Sequence, residues 1–382
     1  MPYNIDPKQQ AVRDEVKVFA DREIYPVSEE LDHMAEPRKF PVDLYRKIGQ
    51  AGFIGYAMPE EFGGGAKSQL EYITLIEELC YHDPAVGLLC AVGELATFPI
   101  LHFGNQQQKE KYVPDCASGK HIPAFVLTES EAGSSAANQK TEAVLNENHY
   151  VVNGEKIFVR LGDVADLAVL FCKVKDQPNL SALIVDDTTQ VGWDKRTLKH
   201  TIGMRAVTMS DIRLRDVKIP KENLLGEIGK GYDYAMAALD SARVRVAAQK
   251  IGLAQRALDE AVSYAKKRHA FGAPIAKLQA IQWMIADMST RLEAARCLTY
   301  SAAVTQDKGE PFALQALQAK LYATATASFC IDRAMQIHGG YGYIGEFTPI
   351  EKLYRDQCVM GIHEDSSEVQ RLAIARKVIE EK

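Results

Sequence analysis

The sequence contains no Cys-x-x-Cys pair; its seven cysteines stand singly at positions 80, 90, 116, 172, 297, 330 and 358. That spacing excludes a zinc ribbon and offers no disulfide framework, leaving reduced thiols that pack as small apolar residues. The nine histidines do not cluster at metal-ligand spacing, so no metal is expected. The net charge of -6 gives no concentrated basic surface, which argues against a nucleic-acid partner. No stretch reads as a run of about 18 uncharged apolar residues, so no membrane span is expected. The opening MPYNIDPKQQ has neither an apolar signal core nor an Arg/Ser-rich amphipathic leader. Its location is therefore expected to be cytoplasmic: a bacterial cytosol, or a mitochondrial matrix if a leader has been removed. A Gly-x-Ser-x-Gly elbow, a Walker loop and His-Glu-x-x-His are all missing. So are internal repeats and low-complexity stretches.

What is present is an ordinary globular composition, 47% apolar and 25% charged over 382 residues. That length exceeds one simple core and predicts two or three domains. Residues 1–120 read as helical, with Leu70–Leu79 apolar at helical spacing and Pro59 and Gly63–Gly65 interrupting. Residues 121–230 change texture. Tyr150–Val152, Ala168–Cys172, Leu180–Val185 and Met209–Val217 are short and β-rich, and Asn153-Gly154 is a hairpin signal. Residues 231–382 are helical again. One face carries Ile251, Ala254, Leu258, Val262 and Ala265. A second carries Leu278, Ile281, Ile285, Met288, Leu292 and Ala295, and a third Leu314, Leu317, Leu321, Ala325 and Phe329. A last short helix begins near Ser366. Segregated runs of this kind predict an α+β chain, mainly α. It comprises an N-terminal helical domain, a central small β-barrel or sandwich and a C-terminal four-helix bundle.

Taken singly, the motifs are weak. Gly63-Gly64-Gly65 follows Pro-Glu-Glu-Phe and reads as a surface turn more readily than a phosphate cradle. Gly339-Gly340 reads as a helix-ending turn. Taken in order they resemble the acyl-CoA dehydrogenase family along nearly the whole chain. The run is Pro59–Gly64, then Leu127-Thr128-Glu129-Ser130-Glu131-Ala132-Gly133-Ser134, Asn153–Lys156, Val217–Gly226 and Arg268–Gly272 with Gln279. It continues through Gln336-Ile-His-Gly339-Gly340-Tyr-Gly342 and Tyr354-Arg355-Asp356 to His363-Glu364 and Gln370–Leu372.

The resemblance implies an FAD-dependent oxidation of an acyl-CoA thioester to the trans-2-enoyl-CoA. Glu364 would abstract the α-proton, flavin N5 would accept the β-hydride, and electrons would pass to an electron-transfer flavoprotein. Burial beside apolar groups makes a carboxylate a competent base, and the forming enolate needs preorganised donors. Flavin contacts fall, by the same resemblance, on Leu127, Thr128, Gly133, Ser134, Phe158, Arg160, Ser366 and Glu368. Arg268, Phe271, Gln279, Gln336, Gly339 and Gly340 serve a flavin shared between subunits of a homotetramer. Ser134, Asp240 and Arg243 face the CoA thioester. The alternative base position is filled by Ala242, which cannot act.

Four positions depart from the family pattern: Ser130, Arg160, Thr201, and Asp365 after His363-Glu364. Asp365-Ser-Ser-Glu368 reads as an acidic capping box for the last helix. Lys156, Phe158 and Arg160 alternate on a predicted strand, so Phe158 and Arg160 should share a face. Arg160 then either reaches water or sets a cation beside the flavin, raising its potential and favouring dehydrogenation. Glu94 reads as a surface helix residue before it reads as a contact for a polar chain end. Val86, where glutaryl-CoA dehydrogenases carry an arginine, disfavours glutaryl-CoA. Two alternatives stand beside dehydrogenation: an enoyl-CoA reductase of the same family, and a homologue that binds CoA thioesters without redox chemistry.

Overall fold

The computed structural model describes residues 6–380; the first five residues of the stretch read for a leader lie outside it. Six helices come first: α1 Pro7–Phe19, α2 Tyr25–His33, α3 Val42–Gln50, α4 Gln69–His82, α5 Pro84–Phe103 and α6 Gln106–Ala117. Their ends follow local chemistry. Ser68 and Glu71 close a reciprocal capping box on α4, and Asn105 with Gln108 does the same on α6. Helix α5, though Glu94 interrupts its apolar run, is by length and mean hydropathy long and apolar enough to cross a membrane. It is instead the buried centre of the fold, with 94% of its apolar window covered by protein.

Eight strands follow: β1 Pro123–Val126, β2 Glu142–Asn146, β3 His149–Arg160, β4 Leu167–Val174, β5 Leu180–Val185, β6 Trp193–Thr197, β7 Met209–Pro220 and β8 Leu224–Leu225. They form one mixed sheet in the order β6-β7-β3-β2-β4-β5-β8, with β1 parallel to β4. Period-two alternation splits the central strands between two cores. Ala168, Leu170 and Cys172 point into the sheet's own core with Val152, Ile212 and Val217. Leu167, Val169 and Phe171 point the other way, against Ile100, Tyr112 and Leu239 of the helices.

The Asn153-Gly154 signal marks a bulge inside β3, not a turn. The β2–β3 turn lies at Glu147-Asn148, and the β3–β7 register slips between Val152 and Gly154. Glycine is required there because a Cβ would sit 2.4 Å from the Thr141 hydroxyl.

The last region holds α7 Gly231–Lys267, α8 Gln279–Asp307, α9 Ala313–His338, the short α10 Gly340–Tyr343 and α11 Ile350–Asp356, and α12 Ser367–Glu380. A two-stranded ribbon, His269–Ala270 with Ala273–Pro274, joins α7 to α8. The two helical regions, distant in sequence, share one core that runs from Val12 and Tyr72 through Val244 and Ile251 to Ala319 and Ile337. The Tyr354-Arg355-Asp356 motif pins all three regions. Arg355 grips Asp32 of α2 at 2.5 Å, and buried Asp356 accepts the Met204 N–H at 2.6 Å.

Candidate active site

The flavin-like loop is built on a buried cation. Lys156 Nζ donates to the Leu127 carbonyl at 2.9 Å, to Glu129 Oε1 at 2.9 Å and to Gln139 Oε1 at 2.7 Å. Glu129 in turn accepts the N–H groups of Lys140 and Thr141 at 2.6 and 3.0 Å. Burial pushes the Glu129 carboxyl up, but Lys156 and these donors outweigh it and hold the group below its ordinary range. Both ends of residues 127–141 are therefore tied to β3, and Ile157 N–H reaches the Thr128 carbonyl at 2.9 Å.

Beyond Lys156 the strand does not alternate as the sequence suggests. A second register slip falls between Lys156 and Val159, and Phe158 adopts φ 55°. Lys156 is buried, Phe158 is 59% exposed, and Arg160 turns inward with 12% of its side chain exposed. The shared face is thus corrected, and so is the reading of Arg160 as a surface cation: its guanidinium lies 3.3 Å from Glu364 Oε1.

Glu364 is buried to the same degree, and its Oε2 has no hydrogen-bond partner among the described residues. Its backbone sits at φ 52°, and that of Asp365 at φ 80°. These are positions that residues with a Cβ adopt only when the surroundings enforce them. Lys320 on α9 supplies the enforcement. Its Nζ donates to the carbonyls of His363, Glu364 and Asp365 at 2.8, 3.0 and 2.6 Å. Burial lowers the Lys320 pKa to about 8. His363 is buried, with neither ring nitrogen hydrogen-bonded. Burial first, then Arg160, Lys320 and Lys250, hold it well below the ordinary histidine range, so the ring beside Glu364 is neutral.

Arg243 does not project freely toward a ligand. It binds Asp365 Oδ2 through Nε at 2.9 Å and pairs with Asp240 one turn earlier on α7. Asp365 is thereby taken from the capping role. The cap of α12 is Ser366, whose hydroxyl accepts the Val369 N–H at 3.4 Å, and Glu368 stands exposed beside Arg371. At the Thr201 departure a cation arrives from elsewhere, as Arg38 Nη1 donates to the Thr201 hydroxyl at 2.5 Å.

The residues expected to serve a flavin form two groups. Thr128, Gly133 and Ser134 lie in the loop tied to β3, which carries Phe158 and Arg160, and Ser366 lies two residues beyond the Glu364 that Arg160 reaches. Among the described residues the N–H groups of Gly133 and Ser134 have no protein acceptor, and no atom crowds Gly133 within 4 Å. Those open donors and the outward Phe158 ring fit a ligand with a planar ring and an anionic tail, as FAD is. The second group lies at the far end of α7. Arg268, Gly339 and Gly340 line a cleft of about 490 Å³ with Tyr341 and Phe347. Phe271 is 94% exposed, and Gln279 and Gln336 are exposed as well. Arg243 and Arg268 are 25 residues apart at the two ends of this stretch of α7, on the order of 37 Å at helical rise.

Sequence reasoning missed Lys320 and Arg245 and understated Lys156. Lys156 ends the Asn153–Lys156 motif, but no local pattern marks Lys320 or Arg245. It also misplaced Glu94, which is buried on α5 and paired with Arg245 at 2.5 Å.

Three family models match the chain, described as the N-terminal, middle and C-terminal domains of acyl-CoA dehydrogenase, over residues 6–120, 124–217 and 229–379. A short-chain specific acyl-CoA dehydrogenase of Clostridium acetobutylicum is 37% identical, covering 99% of this chain and all of that one. The CarC subunit of a caffeyl-CoA reductase-Etf complex from Acetobacterium woodii is 40% identical, covering 95% and 96%. Among solved structures, butyryl-CoA dehydrogenase from Megasphaera elsdenii superposes with a TM-score of 0.94 at 34% identity, covering 99% and 100%. An acyl-CoA dehydrogenase from Bacillus anthracis complexed with FAD gives 0.92 at 29% identity, covering all of this chain and 68% of that one.

Proposed function

The chain belongs to the acyl-CoA dehydrogenase family, FAD-dependent oxidoreductases acting on CH–CH bonds, and we propose that Glu364 is the base that takes the α-proton of its acyl-CoA thioester. The observation that carries this reading is the Glu364 carboxylate itself. It is buried, has one oxygen without a partner, and sits on a backbone that Lys320 holds in a left-handed conformation. A base so fixed meets the α-carbon without reorganising. The neutral His363 ring and the absence of a competing carboxylate at Ala242 leave Glu364 as the proton acceptor. Arg160 fixes the carboxylate from the strand side, and Arg243 with Asp240 and Asp365 closes the site's rim. Thr128, Gly133, Ser134, Phe158 and Ser366 hold the cofactor beside this site, and Ser134 also meets the thioester. Bound FAD would supply the two-electron acceptor for the β-hydrogen. The segments 1–120, 121–230 and 231–382 divide the chemistry between acyl cover, cofactor face and base, although the two helical segments share one core.

Arg268, Phe271, Gln279, Gln336, Gly339 and Gly340 serve the cofactor of a neighbouring subunit in a homotetramer. The span of α7 between them and Glu364 supports this division. An electron-transfer flavoprotein is the redox partner, in keeping with the Etf complex of one relative. That relative is named a reductase, so the same site run in reverse, with Glu364 returning the proton to an enoyl-CoA, is the second reading. The test is Glu364→Gln. It should retain FAD and CoA-ligand affinity while losing several orders of magnitude in turnover in both directions. Turnover near the wild-type rate would assign the base elsewhere.

A further inference from the structure

Glu364 and Asp365 both carry a Cβ, and both stand in the left-handed region, at φ 52° and 80°. One such residue needs support from its surroundings, and two in succession need it twice. The first support is Lys320 on α9, whose Nζ collects the carbonyls of His363, Glu364 and Asp365. That contact holds three oxygens from one point. It leaves the segment able to rock about the amine, because a lysine is a point donor on a flexible stem. The second support comes through a side chain. One oxygen of the Asp365 carboxylate accepts Arg243 Nε at 2.9 Å and Nη2 of the same guanidinium. A planar guanidinium fixes direction as well as distance. Arg243 is itself held: its side chain is 8% exposed, its remaining nitrogen pairs with Asp240 one turn earlier on α7, and its neighbours Ala242 and Val244 are buried.

The peptide between Glu364 and Asp365 is thus held at both ends. Its oxygen is taken by α9, and the Cα that follows it is tied to α7 through the Asp365 side chain. The peptide before Glu364 is held by the His363 carbonyl on the same Lys320. With both neighbouring peptide planes set, the Glu364 side chain leaves the backbone in one direction. Helix α12 does not require the Asp365 carboxylate, since Ser366 caps it. The geometry points to Asp365 as a positioning residue for proton abstraction: through its pair with Arg243 it fixes the peptide beside Glu364 and so aims the base. This rests on the assignment of Glu364 as the base.

The experiment uses the FAD-loaded protein and three variants, Asp365→Gly, Asp365→Asn and Arg243→Lys. Glycine adopts a positive φ without strain, so Asp365→Gly keeps the fold and removes the tether alone. Flavin bleaching is followed by stopped flow with the straight-chain acyl-CoA that bleaches the unaltered protein fastest, and with its α-deuterated form. Affinity is measured by calorimetry with an alkyl-CoA thioether, which has no acidic α-proton. Asp365→Gly should bleach on the order of 10- to 100-fold more slowly, because a small misplacement of a reacting group costs that much. Its deuterium isotope effect should be at least as large as in the unaltered protein, and its thioether affinity unchanged. Asp365→Asn tolerates the left-handed backbone and keeps an acceptor for Arg243, so it should fall between the two. Arg243→Lys should slow bleaching in the same way and add little on top of Asp365→Gly. A wild-type bleaching rate in Asp365→Gly overturns the proposal, as does a rate loss matched by lost thioether affinity, which would place the pair in ligand binding. Full additivity of the two variants also overturns it. Glu364→Gln, measured beside them, separates this failure from that of the base assignment: near-wild-type bleaching in Glu364→Gln sinks both readings, whereas an inactive Glu364→Gln beside an unimpaired Asp365→Gly sinks only the role of Asp365.

Discussion

Arg160 and Glu364 meet across the join between the β sheet and the last helices, and this contact changes what Arg160 can do. A lone cation about 5 Å from a flavin would be worth roughly 3 kcal/mol at an effective dielectric near 20. A cation already matched by a carboxylate exerts much less. Arg160→Thr is therefore expected to leave the flavin midpoint potential nearly unchanged and to lower kcat more than it changes KM, with Arg160→Lys restoring part of the loss. A potential that falls by tens of millivolts at constant kcat would return Arg160 to the flavin. Lys320 carries a pH prediction. Its pKa of about 8 in the fold lies below its ordinary 10.5. As pH rises through about 8 the amine loses a donor that one of three carbonyls needs, so kcat/KM should decline along an alkaline limb that Lys320→Met abolishes. Stability moves the other way. Between about 8 and 10.5 the unfolded chain binds more protons than the folded one, so unfolding becomes harder as pH rises. Denaturant titrations across that window, beside the rate profile, separate the two effects.

Strand β3 shows how an element can be legible in type and misread in detail. Its composition and length announce a strand, but two register slips reset the alternation, turning Phe158 outward and Arg160 inward. The slips are possible because Lys156, fully buried between them, anchors the strand to the 127–141 loop. Lys156→Met leaves Glu129 buried without its cation. It should cost on the order of 3–5 kcal/mol in urea unfolding and loosen FAD binding, because the loop loses its tether. An unfolding midpoint within error of wild type would show that the backbone donors alone hold Glu129. Helix α12 gives the smaller lesson: the acidic run before it looked like a capping box, yet Asp365 is drawn to Arg243 and Ser366 caps the helix. A charged partner from another helix wins over a local cap because a buried guanidinium needs its carboxylate more than a helix end needs a second acceptor.

At the scale of the whole molecule, the candidate cofactor residues occupy two places that one protomer does not bring together. Exposed rings are carried by the same helical region, with Phe271 94%, Trp283 on α8 66% and Tyr343 on α10 78% exposed. Large apolar groups exposed in this way mark an interaction surface. Arg268→Ala and Gln336→Ala should weaken FAD retention and subunit association together, read by flavin content after gel filtration and by light scattering. Loss of FAD from an assembly that stays intact would confine those residues to their own subunit. The three regions are also locked by charge. Arg355, Asp32 and Asp356 link α2, the loop before β7 and α11, and Gly203 is packed so closely that a Cβ would lie 2.5 Å from the Arg355 backbone.

The sequence by itself determined the order of elements, because periods of 3.6 and 2 are written into apolar spacing, and the family, because short motifs recur in one order along the chain. It also marked Glu364, where a motif and the loss of the rival carboxylate at Ala242 agree. Only the tertiary structure decided which charges meet. Arg160 with Glu364, Lys320 with three carbonyls and Glu94 with Arg245 join residues between 43 and 204 positions apart or on separate helices. No local pattern encodes such pairs. The Glu94 and Lys320 contacts are set by the packing of α5, α7 and α9 around a shared core, and the Arg160 contact by the join of β3 to the segment before α12; in each, packing removes water from the charges and leaves one another as their partners.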